Sequence, residues 1–417
     1  MDDASPWGRD FRRLWAGESV SLLGSEVAGL ALPLTAVTTL HASVGQLGLL
    51  GAAGYLPFVV LGLPAGLWVD RVRRRPVLIA ADLGQLLAIG AVPLLFVLGH
   101  LTFGGLLAAA MAAGAMRVFF LVAYRAYLPA VVPTANLTTA NSRLTASESA
   151  AEIGGPGLGG VLVQLIGAPY ALLVDAGSYA ASVVGLVAVR HHEEQPNRDP
   201  APLRTQVADG FRFTFASHYL RAFAGEAASY NLCWTIVQTV LVIFAVRVLG
   251  LTPGALGLVL SIGAIGALLG ALFTSRIANR IGLGHTLVGA AIIGDLAPLG
   301  LPFTPAGPWA MPLLAAAFFV RGAGVTGCNV HVAAIRQTLI PEQLRGRTNA
   351  SYLLAVAGVI PLGALLGGWL GTTIGLRPTL AVGTLGLLST AMFLIFSPVR
   401  TIARLADIDA PRPSTAE

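Results

Sequence analysis

The sequence predicts an all-α membrane protein, with about twelve transmembrane helices in two pseudo-symmetric six-helix bundles. Three observations carry this. Of 417 residues, 55% are hydrophobic and only 11% charged, with a mean hydropathy of +0.76, whereas soluble domains carry roughly 25% charged residues. Apolar runs near the ~20 residues that a bilayer requires recur along the chain. Residues of the first half return in the second at a fixed offset.

The runs, in order, are 14–40, 45–69, 76–98, 102–127, 137–166, 168–189, 219–247, 252–277, 284–303, 308–335, 348–373 and 378–397. The polar start, MDDASPWGRDFRR, does not read as a signal peptide. The longest polar break splits six spans from six. This divides the chain into a bundle at 1–190, a linker at 191–217, a second bundle at 218–400 and a tail at 401–417. The linker begins Pro-rich. Its end sets Val207, Phe211 and Phe215 at helical spacing, which fits a short amphipathic helix on the inner membrane surface or a plain disordered linker.

All 26 basic residues are arginine. One set of loops holds Arg9, Arg12, Arg13, Arg71, Arg73, Arg74, Arg75, Arg125, Arg143 and Arg190 to Arg221. In the second half the same side holds Arg276, Arg280, Arg336, Arg345, Arg347, Arg400, Arg404 and Arg412; the opposite loops hold only Arg247 and Arg377. By the positive-inside rule both termini are cytoplasmic. Arg117 and Arg321 fit neither set, because they fall inside spans.

Several function classes are excluded. The net charge of +6 forms no patch on a soluble domain, so nucleic acid is not a partner. No G-x-x-x-x-G-K-[ST] loop exists and no lysine could complete one, which excludes an ATP-driven pump by this chain alone. The seven histidines are scattered, and Cys233 and Cys328 lie apart in apolar segments, so neither a metal site nor a cofactor is expected. No hydrolytic triad suggests an enzyme.

FRRLWAGESVS at 11–21 and YLRAFAGEAAS at 219–229 align, with Glu18 and Glu226 standing 208 residues apart. The same offset links Pro133 to Pro341, Asn141 to Asn349, Gly155 to Gly363, Gly159 to Gly367 and Gly160 to Gly368; Asp70-Arg71 returns as Asn279-Arg280 at 209. A six-helix bundle duplicated in parallel is a transporter architecture, with the ligand site between repeats.

GLWVDRVRRRP at 66–76 resembles the cytoplasmic loop signature of the major facilitator superfamily, G-x-x-x-D-R-x-G-R-R. Gly66, Asp70, Arg71, Arg74 and Arg75 match, and Arg73 replaces a glycine. A carboxylate at a helix end that pairs with arginine or a neighbouring helix N-terminus can latch one conformation; simple topology-setting charge is the alternative. The flanks SLLGSEVAGLALPLTAV, AYLPAVVP and GGPGLGG are similar to the branch containing macrolide efflux pumps and the enterobactin exporter, over about residues 7–400. Gly155, Pro156, Gly159 and Gly160 fit G-P-x-x-G-G, the fifth-helix signature associated with antiporters of that superfamily. Bare glycines admit a close neighbour helix and Pro156 permits a bend. The eighth span, with Gly263, Gly266 and Gly270, is the expected neighbour.

Glu152 lies roughly 16 Å along the fifth span if that span starts near Asn141, about mid-membrane. A carboxylate there costs about 2.5–3.5 kcal/mol unless protonated, paired or hydrated. Glu152, Glu148 and Glu26, with Arg117 as partner, are therefore the proton-coupling candidates; a structural Glu152–Arg117 pair and a substrate contact are the alternatives. Glu18 and Glu226, near span starts, read as structural, and Asp175 and Asp295 carry no motif support. Tyr55, Tyr230, Trp234 and Arg321 are candidate cavity residues.

The resemblance implies a secondary active transporter of the cytoplasmic membrane. It would export a hydrophobic or amphipathic small molecule, of antibiotic or siderophore type, by proton antiport and alternating access. Its partners would be that small molecule, protons and membrane lipid, and it would act as a monomer. An uptake symporter of the same fold and a non-transporting sensor or scaffold are the rivals.

Overall fold

The structure, a computed structural model, describes residues 8–190, 203–341 and 344–405. The Pro-rich start of the linker and most of the tail lie outside the described residues. The first repeat comprises α1 (Arg9–Leu34), α2 (Val44–Val69), α3 (Arg74–Val97), α4 (Phe103–Val131), α5 (Leu137–Ile166) and α6 (Ala168–Ala188). The linker helix α7 (Leu203–Ala216) follows. The second repeat comprises α8 (His218–Ile243), α9 (Pro253–Ile281), α10 (Leu283–Leu296), α11 (Ala310–Leu339), α12 (Arg345–Ala357), α13 (Ile360–Thr373) and α14 (Leu376–Ile395). No strand occurs among the described residues.

The helices start where side chains can satisfy their first N–H groups. Ser43 and Gln46 form a reciprocal cap on α2, and Thr102 accepts from the Gly105 N–H at 3.2 Å on α4. Their outer faces are apolar as well: Leu87, Leu165 and Val184 are at least 69% exposed, which in this composition means exposed to lipid. Eleven segments are long and apolar enough to cross a bilayer. The 30-residue α5 misses that threshold because its first half, LTTANSRLTASESAAE, is polar; it supplies the twelfth span.

The eleventh span, read as one run at 348–373, is broken into α12 and α13 around Gly358. Pro361, in the first turn of α13, cannot donate to the preceding turn and its ring crowds it.

The duplication is visible in the backbone. α1 ends in a π-helical turn at Thr35–Thr39, and α8 ends in its counterpart at Phe244–Val248. Gly167 (φ 89°) starts α6, and Gly375 (φ 88°), 208 residues on, starts α14. One counterpart pair differs. Gly282 turns the α9–α10 corner at φ 92°, while Arg73, at the matching place between α2 and α3, has φ −64° and ψ 130°. The arginine that departs from the loop signature thus sits in an extended conformation open to any L residue.

Contacts divide the chain into two compact units. Unit 1 holds Met1–Pro200 with Thr239–Ser261 and Ala364–Thr373. Its core gathers Phe11, Val69, Leu78, Tyr127 and Leu186. Unit 2 holds Ala201–Gln238, Ile262–Gly363 and Ile374–Glu417, with a core of Phe223, Leu287, Ile335 and Leu394. In unit 2 the linker helix is packed tightly on α12, where Gly210 meets the Arg347 carbonyl and Ser351.

Gly167 and Gly375 occupy backbone that an L side chain reaches only with strain, of about 1–3 kcal/mol. Gly375→Ala or Gly167→Ala should therefore lower the thermal midpoint of the purified protein by several degrees. Gly177→Ala, where a methyl meets nothing within 4 Å, should not.

Candidate functional site

The glycine face of α5 is used on two sides. A methyl group at Gly155 would overlap Glu26 of α1, and one at Gly159 would stand 3.1 Å from the Val27 Cα. On the other side, a methyl at Gly160 would overlap the Pro253 carbonyl and stand 3.1 Å from the Cα atoms of Gly254 and Gly257 in α9. The Gly157 N–H donates to Ser261 Oγ at 3.0 Å. The neighbour is therefore the eighth span, as expected, but through Gly254, Gly257 and Ser261. Gly263, Gly266 and Gly270 face α11 instead, against Phe318, Phe319 and Ala323. They lie farther along α9, where residues 262 onward belong to unit 2.

Unit 1 holds a second contact of the same kind. Gly368 of α13, the counterpart of Gly160, packs on Gly48 of α2, with the Gly48 methyl position 2.8 Å from the Gly368 Cα. Both contacts are nearly free of side chains, so helix backbones meet directly.

The acids of unit 1 cluster along α1, α3, α5 and α6. Glu26 lies in electrostatic range of Glu152 and Arg117. Glu18 lies in range of Asp82, Glu148 and Arg117, and Asp175 in range of Arg117. Glu148 and Glu152 neighbour one another, and Arg125 stands in range of Glu148. Arg117 thus faces Glu18, Glu26 and Asp175, and no ion pair within 4 Å joins it to Glu152 among the described residues. Depth in the membrane places two groups at one level but does not make their helices face each other. Beside Glu148, Ser147 ties α5 to α1 by accepting from Trp15 Nε1 at 3.0 Å and bonding Ser19 Oγ at 2.9 Å.

In the loop motif, Asp70 caps α2 with its N–H on the Gly66 carbonyl, and stands exposed. Arg71 is likewise exposed, and Arg74 opens α3. Arg75 turns to the end of α6, donating to the carbonyls of Leu186 at 3.0 Å and Val187 at 2.7 Å. Arg13 donates to the Ala188 carbonyl at 2.6 Å. Two cations therefore cap the negative end of one helix. Among the described residues Asp70 has no ion pair.

Unit 2 repeats the charged arrangement, with the acid on α8 in register and the acid on α10 and the arginine on α11 each displaced by about a turn. Glu226 of α8, the counterpart of Glu18, lies in range of Asp295 of α10. Asp295 accepts from Thr390 Oγ1 at 2.8 Å and lies in range of Arg321 of α11. The Arg321 guanidinium sits 3.4 Å over the Trp234 ring and 5.7 Å from that of Tyr230. Three of the four candidate cavity residues thus come together. Tyr55 stands half-exposed on α2 in unit 1. Tyr230, Glu226, Asp295, Arg336 and Tyr352 line a cavity of about 320 Å³ within unit 2.

Asp82 had no place among the sequence candidates, and Glu18, Glu226 and Asp295 were read as structural or without motif support; the structure buries Asp82, Glu226 and Asp295. Their signal was present: an acid inside an apolar span is costly and marks function by default, and Glu18 and Glu226 share the repeat offset. Among the described residues no cluster of three His, Cys, Asp or Glu is placed to hold a metal ion.

The model of the Major Facilitator Superfamily matches residues 14–364. Among curated proteins, the chain is 29% identical over 368 residues to the multidrug efflux pump Tap of Mycolicibacterium fortuitum, covering 86% of this chain and 87% of that one. A shorter match, 34% over 83 residues and 20% of each chain, is to macrolide efflux protein A of Streptococcus pyogenes. Among solved structures, a bacterial homologue of the iron transporter ferroportin in an inward-facing state superposes with a TM-score of 0.74 at 19% identity, covering 93% of this chain and 98% of that one.

A methyl at Gly160 must push the α9 backbone aside. Gly160→Ala should cost about 1–3 kcal/mol, the usual penalty of overpacking, read as a lowered thermal midpoint. Gly154→Ala, with nothing within 4 Å, should leave it unchanged.

Proposed function

Because this chain belongs to the major facilitator superfamily and is a multi-pass membrane transporter, we propose that it exports a hydrophobic or amphipathic small molecule from the cytoplasm by proton antiport. The similarity to multidrug and macrolide efflux proteins supports the direction and the substrate type. The arginine-rich loops support a cytoplasmic position for both termini. The working bodies are the two six-helix repeats, 1–190 and 218–400, joined by the linker, and the chain acts as a monomer.

The observation that carries this reading is the layout of α5. Glu148 and Glu152 precede a face whose glycines pack on α1 at Glu26 and Val27 and on the α9 backbone at Pro253, Gly254 and Gly257. Proton loading and the moving contact then lie on one helix, a few residues apart. Two like charges held together repel when both are ionised, and one proton relieves the repulsion. Protonation of the Glu26–Glu152 pair changes the force between α1 and α5. The adjoining α5–α9 contact holds no interlocking side chains, so it opens and closes without unpicking them. The α2–α13 contact around Gly48 and Gly368 opens with it. Asp70, Arg71, Arg74 and Arg75, beside Gly66, form the cytoplasmic latch of the cycle.

In everted vesicles carrying the protein, Glu152→Gln should abolish gradient-driven accumulation of a fluorescent drug, at least about tenfold, with expression intact. Wild-type transport in that variant would retire Glu152 as the coupling group, and accumulation that survives collapse of the proton gradient would sink antiport itself.

A second test locks the α2–α13 contact. A methyl at Gly45 would touch Thr372 Cγ2 at 3.4 Å, so short side chains at the two positions are within reach of each other. In a chain with Cys233 and Cys328 replaced by serine, Gly45→Cys with Thr372→Cys should cross-link on oxidation and stop transport, and reductant should restore it.

A further inference from the structure

The cavity in unit 2 belongs to neither the α5 contact nor the acids around it. Its walls come from α8, α10, α11 and α12, and its apolar part is built from residues such as Ala291, Val325, Val332 and Val356. At about 320 Å³ it matches the lower range of small-molecule sites. Glu226 lines it while only 8% exposed, and among the described residues makes no hydrogen bond or ion pair. Asp295, 2% exposed, spends one oxygen on Thr390 and lines the same space.

Two arginines stand close; Arg321 lies in range of Asp295, but among the described residues neither forms an ion pair within 4 Å with Glu226 or Asp295. Arg321 lies flat on Trp234 at 3.4 Å. Arg336 lies flat on Tyr352 at 3.4 Å and donates to Asn349 Oδ1 at 2.7 Å. The acids are left with open acceptor positions, and the cations are pinned to rings. A buried carboxylate without a partner is too costly to stand charged. It requires a proton or a bound cation, and the open valences accept donors only.

We propose that this cavity is a cation site of the second repeat, in which Glu226 and Asp295 hold the ammonium group of an amphipathic amine and a proton competes for the same two carboxylates. The apolar walls take the body of the amine. Loading one monovalent cation releases one proton, so the charge of the site is unchanged. The other titratable or charged groups facing it are Tyr230 and Cys233 on α8, Arg321, Cys328 and Arg336 on α11, and Tyr352 on α12. The substrate class, though not the binding, rests on the export reading above.

The test is equilibrium binding of ethidium, a permanently charged aromatic cation, to the purified full-length protein in detergent, with the neutral N-phenyl-1-naphthylamine as control. Wild-type affinity for ethidium should fall about tenfold from pH 8 to pH 5.5, and affinity for the neutral probe should not. Glu226→Gln and Asp295→Asn should each weaken ethidium binding about tenfold at pH 8 and flatten its pH dependence, while keeping the neutral probe. Ethidium binding by Glu226→Gln with wild-type affinity and pH profile would overturn the proposal. If that variant does not fold, Glu226→Asp and the wild-type profile decide: ethidium affinity that does not fall on acidification refutes the site. A protein that binds ethidium in this way yet exports nothing under a proton gradient would refute the export reading and leave the site standing.

Discussion

The fold depends on helix backbones touching where side chains are missing. α5 carries this constraint most heavily, because its bare face meets α1 through Gly155 and Gly159 and α9 through Gly160. In lipid, helices gain little from the hydrophobic effect against each other, and close backbone packing takes its place. A side chain at any of these positions would wedge two neighbours apart. The polar first half of α5 lies outside this constraint, with Thr138, Asn141, Ser142, Thr145, Glu148 and Glu152 exposed.

The second theme is duplication with divergence. The π-helical ends of α1 and α8, the glycine corners at 167 and 375, and the paired contacts Gly160–Gly257 and Gly48–Gly368 descend from one bundle. The charged groups kept their helices: Glu226 stands at the repeat offset from Glu18, while Asp295 lies about a turn beyond the counterpart of Asp82 and Arg321 about a turn before that of Arg117. In unit 1 two arginines, Arg117 and Arg125, stand among several acids. In unit 2 the arginines lie on aromatic rings and the acids face an open cavity. Similar charge inventories thus create two different electrostatic environments.

Much of this was legible in the sequence, because hydropathy and arginine placement are dictated by the bilayer and survive without tertiary detail. The glycine run on α5 was legible too, since only close packing explains so many missing side chains. Which glycines of the eighth span would answer was not: Gly254 and Gly263 look alike in sequence, and only helix tilt sends one to α5 and the other to α11. The alternative of a Glu152–Arg117 pair finds no ion pair within 4 Å among the described residues. The break at Gly358 was hidden inside an unbroken apolar run, although Pro361 was there to be weighed. Tyr230, Trp234 and Arg321 were named singly as cavity candidates, and only the packing of α8 on α11 brings the arginine over both rings. Asp82, buried at 0% exposure beside Glu18, had no motif to announce it.

The corner between α2 and α3 has a consequence for how this lineage can change. Where its counterpart must keep glycine to hold φ at 92°, Arg73 sits at −64°, in a region that any amino acid can enter without strain. One copy of the loop has therefore been released from the steric requirement that still binds the other. Position 73 can exchange side chains without backbone strain, while position 282 stays fixed at glycine. The two halves of a once symmetric machine thus differ in their capacity to evolve.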